Sequence, residues 1–138
     1  MDLYDRKIIG WAYGKNITAE LATQNVKNAC LNIPDTTGIV LHSELGSQYT
    51  SEEFEKYLQD QGILHSFSRK GNPYDYACIE SFHSVLKKEE VYTTTYYTFE
   101  EAKSALFEYI ELFYNRKRRH NALDYKTPQQ VEDEALSA

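Results

Sequence analysis

The stretch GIVLHSELGSQYTSEEFEKYLQDQGILHSF, residues 38–67, predicts a strand, a helix and a second strand in succession. The apolar run at 39–41 is typical of a short buried strand, and residues 63–67 alternate apolar with polar side chains, as a second strand does. Between them, Thr50 begins a capping-box pattern, and Gly62 stands where a helix C-cap is expected. This order of elements predicts an α/β fold.

The rest of the chain extends this pattern on both sides. We expect a strand at 6–13, a helix capped by Thr18, a helix at 76–90 capped by Asp75, a long helix at 99–113 capped by Thr98, and a short helix begun by Thr127 and Pro128. Strands alternate with helices in the first half, and the second half is helical. With 138 residues, a single domain over 1–138 is the natural prediction.

Charge and composition exclude several classes of protein. The net charge of −6 argues against a general affinity for polyanions, although a local basic patch could still contact nucleic acid. No run approaches the roughly 18 apolar residues of a membrane span, and the first ten residues carry charges where a signal peptide is apolar. We therefore expect a cytoplasmic protein with no membrane partner. Cys30 and Cys78 lack the spacing of a zinc site and are predicted to be buried free thiols.

Two acidic residues stand where ligand chemistry is possible. Glu44 follows the first strand of the opening stretch, and ligand sites in open α/β sheets lie outside the carboxyl ends of strands. Glu80 falls in a predicted helix with Ser84 and Lys87 on the same face, because seven helical steps return almost to the starting direction. Two converging carboxylates could hold divalent metal ions for phosphodiester chemistry. The spacing alone favours two solvated polar surfaces.

Basic side chains gather at two places in this acidic chain. Four consecutive basic residues at 116–119 end the long predicted helix, where cations complement the helix dipole or contact phosphates. A second, smaller pair lies in the loop after residues 63–67. The residues predicted to contact DNA from these two places are Arg69, Lys70, Arg116, Arg118, Arg119 and His120.

Three segments carry a resemblance to a known family: HSELGSQYTS (42–51), SFSRKGNPYDYACIESFHSVLKKE (66–89) and FYNRKRRHNALDYKTP (113–128). Together they resemble, in order, the catalytic core of bacterial insertion-sequence transposases of the DDE class, which are relatives of retroviral integrases. The 35 residues between Glu44 and Glu80 match the separation of that family's second and third catalytic acids. The resemblance implies a ribonuclease-H-like fold, with a mixed sheet flanked by helices.

The resemblance also implies roles for single residues. Glu80 matches the catalytic glutamate, and Glu44 occupies the place of the second catalytic aspartate, so both are predicted metal ligands for Mg²⁺ or Mn²⁺. Lys87 matches a lysine that contacts the DNA end, and Ser84 lies on the same helix face. The family cuts at element ends and joins the 3′ hydroxyl to target DNA. The implied partners are those DNAs, with a homodimer or association with full-length transposase.

Three departures from the family pattern bear on activity. Glu44 stands where the family has aspartate, Tyr76 stands where it usually has asparagine, and the W-x-x-D-I-T motif with the first catalytic aspartate does not occur in these residues. We therefore expect an N-terminally truncated core that lacks the first strand. Asp2 aligns with a non-catalytic aspartate of the family. Two functions follow: a transposase core that is impaired or inactive, or a catalytically silent fragment that binds DNA or transposase and modulates assembly.

Overall fold

The computed structural model describes residues 1–69, 71–72 and 77–138. The chain divides into two compact units. The central unit runs from Ile9 to Tyr76, and the terminal unit joins Met1–Ile8 to Ala77–Ala138. The single domain predicted over 1–138 stays a prediction.

The central unit is built from alternating helices and strands. Its elements are α1 (Ala19–Cys30), β1 (Val40–Ser43), α2 (Glu52–Asp60) and β2 (Leu64–Phe67). β1 and β2 form a two-stranded parallel sheet in which Val40 pairs with Leu64 and Ser43 with Phe67. The predicted order of strand, helix and strand is confirmed.

The ends of the two central helices follow the expected capping chemistry. The Thr18 hydroxyl accepts a hydrogen bond from the Leu21 amide at 3.1 Å, as predicted for α1. The cap of α2 is Ser51, whose hydroxyl accepts from the Phe54 amide at 3.2 Å, so the prediction of Thr50 was wrong by one residue. At the other end of α2, Gly62 has φ +71°, which an amino acid without a Cβ adopts freely.

The core of the central unit lies between its helices and one face of the sheet. Phe54 and Leu58 of α2 are 0% and 1% exposed, and they pack with Ala22, Val26 and Ile63. The sheet is not buried on both faces, because Val40 is 60% exposed whereas Ser43 is 3% exposed. The strand predicted at 39–41 is present as β1, but the prediction that it is buried was wrong for the face that carries Val40.

The strand predicted at 6–13 was also wrong. Residues 6–13 form no strand. Side-chain amides donate to some of the carbonyls that a neighbouring strand would otherwise pair. In the central unit, Asn28 Nδ2 donates to the Trp11 carbonyl at 2.8 Å, and Asn32 Nδ2 donates to the Ile9 carbonyl at 2.8 Å. The composition is rich in strand formers, but a strand needs a ladder partner, and these carbonyls are paired with asparagine side chains in α1 and just after it instead.

Gly10 allows this segment to lie close to α1. A Cβ built on Gly10 would stand 2.5 Å from the backbone nitrogen of Ala29. Contact that short with backbone leaves no room for a side chain. Of the two roles that a glycine within a strand-like segment suggests, a bulge or a close approach, Gly10 has the second.

The terminal unit is helical among its described residues. Its elements are α3 (Ala77–Leu86) continued by a π-helical segment (Lys87–Val91), α4 (Phe99–Phe107) continued by a second π-helical segment (Glu108–Tyr114), a 3₁₀ turn (Asn121–Leu123) and α5 (Pro128–Ser137). The predicted cap Asp75 lies outside the described residues. Thr127 and Gln130 form the predicted capping box of α5 with Pro128 at its start.

The second π-helical segment changes which side of the long helix is buried. The Asn115 amide donates to the Ile110 carbonyl, five residues earlier, at 3.1 Å. These wider turns rotate the following side chains, so Ile110 and Tyr114 are buried whereas Phe113 is 41% exposed. The spacing of Phe99, Ala102, Leu106, Tyr109 and Phe113 predicts a continuous apolar stripe, and that prediction was wrong at its last position.

Two predictions from composition can be compared with the structure. Cys30 and Cys78 are free, as predicted, but both are only partly buried. Among the described residues, no helix has the length and apolar character needed to cross a membrane.

Candidate functional site

Glu44 lies at the point where the chain leaves β1, as predicted, and it is exposed. The loop that follows is compact, because the Gly46 carbonyl accepts from the amides of Tyr49 and Thr50 at 3.0 and 3.2 Å. The pKa of Tyr49 is raised, first by burial of its phenol and then by the negative charge of Glu44. The Glu44 carboxylate therefore lies at the carboxyl end of a strand, and its negative charge acts on Tyr49 in the loop that follows.

Behind Glu44 lies a hydrogen-bonded chain that sequence reasoning missed. Ser43 Oγ lies 3.0 Å from the Glu44 carbonyl oxygen and 2.7 Å from His65 Nε2. His65 Nδ1 in turn lies 2.5 Å from Glu55 Oε1. The alternation of residues 63–67 was the available signal, since it places His65 on the buried face that Ser43 shares.

His42 belongs to the opposite face of the same sheet. Its ring nitrogens lie 3.0 and 2.9 Å from the hydroxyl oxygens of Ser66 and Ser68. Although His42 is next to Ser43 in sequence, neighbouring residues of a strand point to opposite faces. The histidine that contacts Ser43 is consequently His65 on the neighbouring strand β2, and not His42.

In the terminal unit, Glu80 lies on the exposed side of α3. His83, Ser84 and Lys87 are exposed as well, whereas Phe82 is buried at 6%. Lys87 begins the first π-helical segment, at the end of α3. The helix thus presents a carboxylate, a hydroxyl and an ammonium group to solvent, as the spacing predicted.

The basic residues at 116–119 divide into two kinds. Arg116 and Arg119 are exposed. Arg118 is half-buried, and its Nε donates to both carboxylate oxygens of Glu89 at 3.1 Å. The same carboxylate accepts from the Tyr109 hydroxyl at 2.6 Å. Arg118 thus has a structural partner in Glu89.

Glu89 and burial together change the acidity of Tyr109. Burial of the phenol, followed by its hydrogen bond to the Glu89 carboxylate, raises the pKa of Tyr109 far above its usual value. The tyrosine is therefore a permanent donor to Glu89. The hydrogen bond from Tyr109 holds the Glu89 carboxylate where Arg118 contacts it.

His120 is held differently from the arginines before it. Its ring meets Tyr114 edge to face with centroids 4.8 Å apart, and its Nε2 is buried without a hydrogen-bond partner. Burial, followed by the positive charge of Arg118, lowers the pKa of His120. The structure thus favours a neutral imidazole here.

The remaining predicted residues lie after β2. Arg69 is exposed, and Lys70 lies outside the described residues. Glu44 and Arg69 belong to the central unit, and Glu80, Lys87 and the basic segment belong to the terminal unit.

The oxygen ligands of Glu44 and Glu80 are of the kind that Mg²⁺ and Mn²⁺ prefer. Within 1–69, 71–72 and 77–138, no three His, Cys, Asp or Glu residues are grouped closely enough to hold a metal ion. Mg²⁺ is usually bound through one or two carboxylates, with water and substrate phosphates completing its shell. Each of these carboxylates therefore suits such an ion in donor chemistry.

Comparison with known proteins agrees with the family suggested by the sequence. Two family models, both described as integrase core domain, match residues 1–73 and 61–128. The chain is 40% identical over 132 residues to the transposase for insertion sequence element IS904 of Lactococcus lactis, covering 96% of this chain and 52% of that protein. It is 34% identical over 137 residues to transposase InsF for insertion sequence IS3A of Escherichia coli, covering 99% and 48%.

The fold is also found in solved structures. The catalytic core domain of BIV integrase aligns with a TM-score of 0.60 and 25% identity, over 87% of this chain and 74% of that one. A chain of the simian T-cell lymphotropic virus intasome in complex with PP2A regulatory subunit B56 gamma aligns with a TM-score of 0.65 and 19% identity, over 86% and 41%. The predicted ribonuclease-H-like α/β class is confirmed.

The first family model alone covers more than half of the residues. The chain spans about half the length of the two transposases it matches. It belongs to the integrase core domain family.

Proposed function

We propose that this chain acts in DNA transposition as part of a transposase core, with Glu44 and Glu80 as metal-binding catalytic residues. One observation carries the proposal. Both acids that match the family's motif are exposed, Glu44 directly after β1 and Glu80 on the outer side of α3. The named similarity to two insertion-sequence transposases supports the same function.

The roles of the residues follow from their groups. A Mg²⁺ or Mn²⁺ ion, when bound, would supply charge stabilisation for phosphoryl transfer. Glu44 and Glu80 would hold it through carboxylate oxygens. Lys87 places a positive charge next to the DNA phosphate, and Ser84 offers a hydroxyl donor from the same exposed face.

The basic residues bind the DNA backbone in this proposal. Arg69, Arg116 and Arg119 are exposed and make phosphate contacts, which position the DNA without reading its sequence. Arg118 remains with Glu89 and supports the segment, and His120 packs against Tyr114. For Lys70, a DNA contact is proposed on the basis of the sequence alone. Element ends and target DNA are the substrates, and a homodimer or association with full-length transposase remains the predicted assembly.

The test is Mn²⁺-dependent nicking and strand transfer on short labelled duplexes that carry insertion-sequence ends. Glu80→Gln should abolish the activity, with a loss greater than the roughly 10–100-fold caused by removing a group behind a metal ligand. Glu100→Gln is the matched control, because Glu100 is an exposed glutamate in the first turn of α4 in the same unit. It should leave the activity unchanged. Equal activity in all three proteins would refute the proposal.

Glu44 offers a second arm of the same experiment. Its side chain is one methylene longer than the aspartate of the family motif, and a displacement near 1 Å can cost about 100-fold in rate. Glu44→Asp should therefore raise the nicking rate. A lower rate in Glu44→Asp would show that the glutamate is adapted to its place.

The second candidate function is that of a silent DNA-binding or transposase-binding fragment that modulates assembly. The exposed Arg116 and Arg119 favour it, because phosphate contact by these side chains requires neither carboxylate. DNA affinity measured by fluorescence anisotropy separates the two functions. The fragment function is supported over the catalytic one if the parent protein binds duplex DNA without nicking it and the double variant Arg116→Gln with Arg119→Gln binds DNA more weakly.

A further inference from the structure

A chain of hydrogen bonds links three elements of the central unit to the backbone of Glu44. It starts at Glu55 on α2, passes through His65 on β2 and ends at Ser43 on β1. The Ser43 hydroxyl donates to the carbonyl oxygen of Glu44 at 3.0 Å. Glu44 is therefore held through its own peptide group rather than through its carboxylate.

The middle of this chain is enclosed. The side chain of His65 is 5% exposed, and Ser43 is 3% exposed. The imidazole packs against the Phe54 ring with centroids 5.5 Å apart and against the Phe67 ring at 4.0 Å. Buried polar groups that are fully hydrogen-bonded stay in one arrangement, so this chain restricts the conformation of the β1 end.

The contacts of Ser43 and His65 define this chain. The Ser43 hydroxyl donates to the Glu44 carbonyl, and Ser43 Oγ lies 2.7 Å from His65 Nε2. The other ring nitrogen, Nδ1, lies 2.5 Å from Glu55 Oε1. Glu55 thus orients the ring, the ring orients the hydroxyl, and the hydroxyl orients the peptide of Glu44.

The same order of serine, histidine and acid occurs in hydrolases, but the geometry here does not serve nucleophilic attack. A catalytic serine presents its oxygen to a substrate from an exposed turn. Ser43 is buried within a strand, and its hydroxyl is engaged with a backbone carbonyl. The arrangement instead suits support of the neighbouring residue.

We propose that Ser43, His65 and Glu55 are positioning residues that hold the Glu44 peptide so that its carboxylate points toward a bound divalent metal ion. This rests on the proposed function, because it assigns a purpose to Glu44 as a ligand. Hydrogen-bonded partners behind a metal ligand typically contribute about 10–100-fold to metal affinity. A longer glutamate gains most from such support, because its extra methylene adds a rotatable bond.

The test compares variants that break this chain of hydrogen bonds with variants that keep part of it. Ser43→Ala removes the hydroxyl, and Ser43→Thr keeps it. His65→Phe removes both ring nitrogens, and His65→Gln keeps a donor for Ser43. Ser66→Ala is the matched control, because it removes a hydroxyl from the opposite face of the same sheet, where Ser66 contacts His42.

Two measurements are made on the full 138-residue chain, with circular dichroism to verify folding. The first is hydrogen exchange of the amides at 45–49 without metal, which reports whether the loop after Glu44 is held. Ser43→Ala and His65→Phe should accelerate it, whereas Ser43→Thr, His65→Gln and Ser66→Ala should stay near the parent chain. Unchanged exchange in both breaking variants would overturn the proposal without reference to metal.

The second measurement is the dissociation constant for Mn²⁺, obtained by electron paramagnetic resonance. Ser43→Ala and His65→Phe should weaken binding by about tenfold or more, and Ser43→Thr should restore most of it. Parent affinity in the breaking variants, together with weak binding by Glu44→Gln, would overturn the positioning role and leave the proposed function intact. Parent affinity in Glu44→Gln itself would refute Glu44 as a ligand, and the positioning role with it. If Ser43→Ala does not fold, the His65→Phe and His65→Gln pair decides the question by the same criteria.

Discussion

The two units of this chain stabilise their interiors in different ways. The central unit buries an apolar cluster composed of Ala22, Val26, Phe54, Leu58 and Ile63. In the terminal unit, the buried residues include Tyr109, Tyr114 and the fully enclosed amide of Asn115. Apolar burial has no direction, whereas each buried polar group requires a partner at a fixed distance and angle. The first kind of interior follows from spacing along a helix, and the second does not.

Asn115 shows what the polar interior achieves. Its side chain is 1% exposed, accepts from the Ile8 amide at 2.9 Å and donates to the Ile8 carbonyl at 3.0 Å. One amide thereby pairs both backbone groups of a residue far away in sequence. Its own carbonyl accepts from the Gln129 amide at 2.9 Å, which attaches the start of α5.

The largest effect is expected from the apolar interior. Phe54→Ala should lower the free energy of unfolding by about 3–5 kcal/mol, because it empties the centre of the cluster. Denaturant unfolding followed by circular dichroism measures the change. Phe107→Ala is the control, since Phe107 is 50% exposed in the other unit. Equal losses in the two variants would contradict the assignment of Phe54 to the centre of the core.

A smaller loss is expected from the polar interior. Asn115→Leu keeps the side-chain size but leaves the Ile8 amide and carbonyl unpaired, which should cost about 2–3 kcal/mol, within the range for unpaired buried groups. Asn28→Leu in the central unit breaks one hydrogen bond to a partly buried carbonyl and should cost about 0.5–1.5 kcal/mol. Thermal unfolding of both variants compares them. A smaller loss for Asn115→Leu than for Asn28→Leu would mean that the polar interior adds little.

The smallest effect is a pH dependence confined to the terminal unit. Because burial lowers the folded pKa of His120 below its ordinary 6.5, the folded state binds the proton less well than the unfolded state. The contribution is complete above pH 6.5 and is lost as pH falls through the folded pKa. His120→Phe, which also removes the unpaired Nε2, should therefore flatten the fall in melting temperature between pH 7.5 and 5. Parallel pH profiles for the two proteins would contradict it.

Much of the fold was predictable because its causes are local. Thr18 and Thr127 cap helices through groups three residues away or closer, so their patterns are visible in the sequence. The exposed side of α3 followed from helical spacing. The cap of α2 was misplaced because Thr50 and Ser51 are both good caps, and the choice between them depends on the turn at Gly46.

The misses share a different cause, which is dependence on distant residues. The segment at 6–13 has the composition of a strand, but the Trp11 and Ile9 carbonyls accept hydrogen bonds from asparagine side chains in α1 and just after it. Phe113 left the buried stripe because the π-helical turns before it altered the rotation of the helix. The link from Ser43 to His65 needed the register of two strands, which neither strand's sequence contains alone.

The attachment of Ile8 to Asn115 also sets an order of events during synthesis of the chain. The central unit is continuous, so every contact within it is available once residue 76 has left the ribosome. Ile8 is made before the central unit, yet its partner Asn115 emerges only after that unit. Ile8 must therefore wait without this partner while the central unit folds, and the terminal unit closes only after Asn115 has emerged.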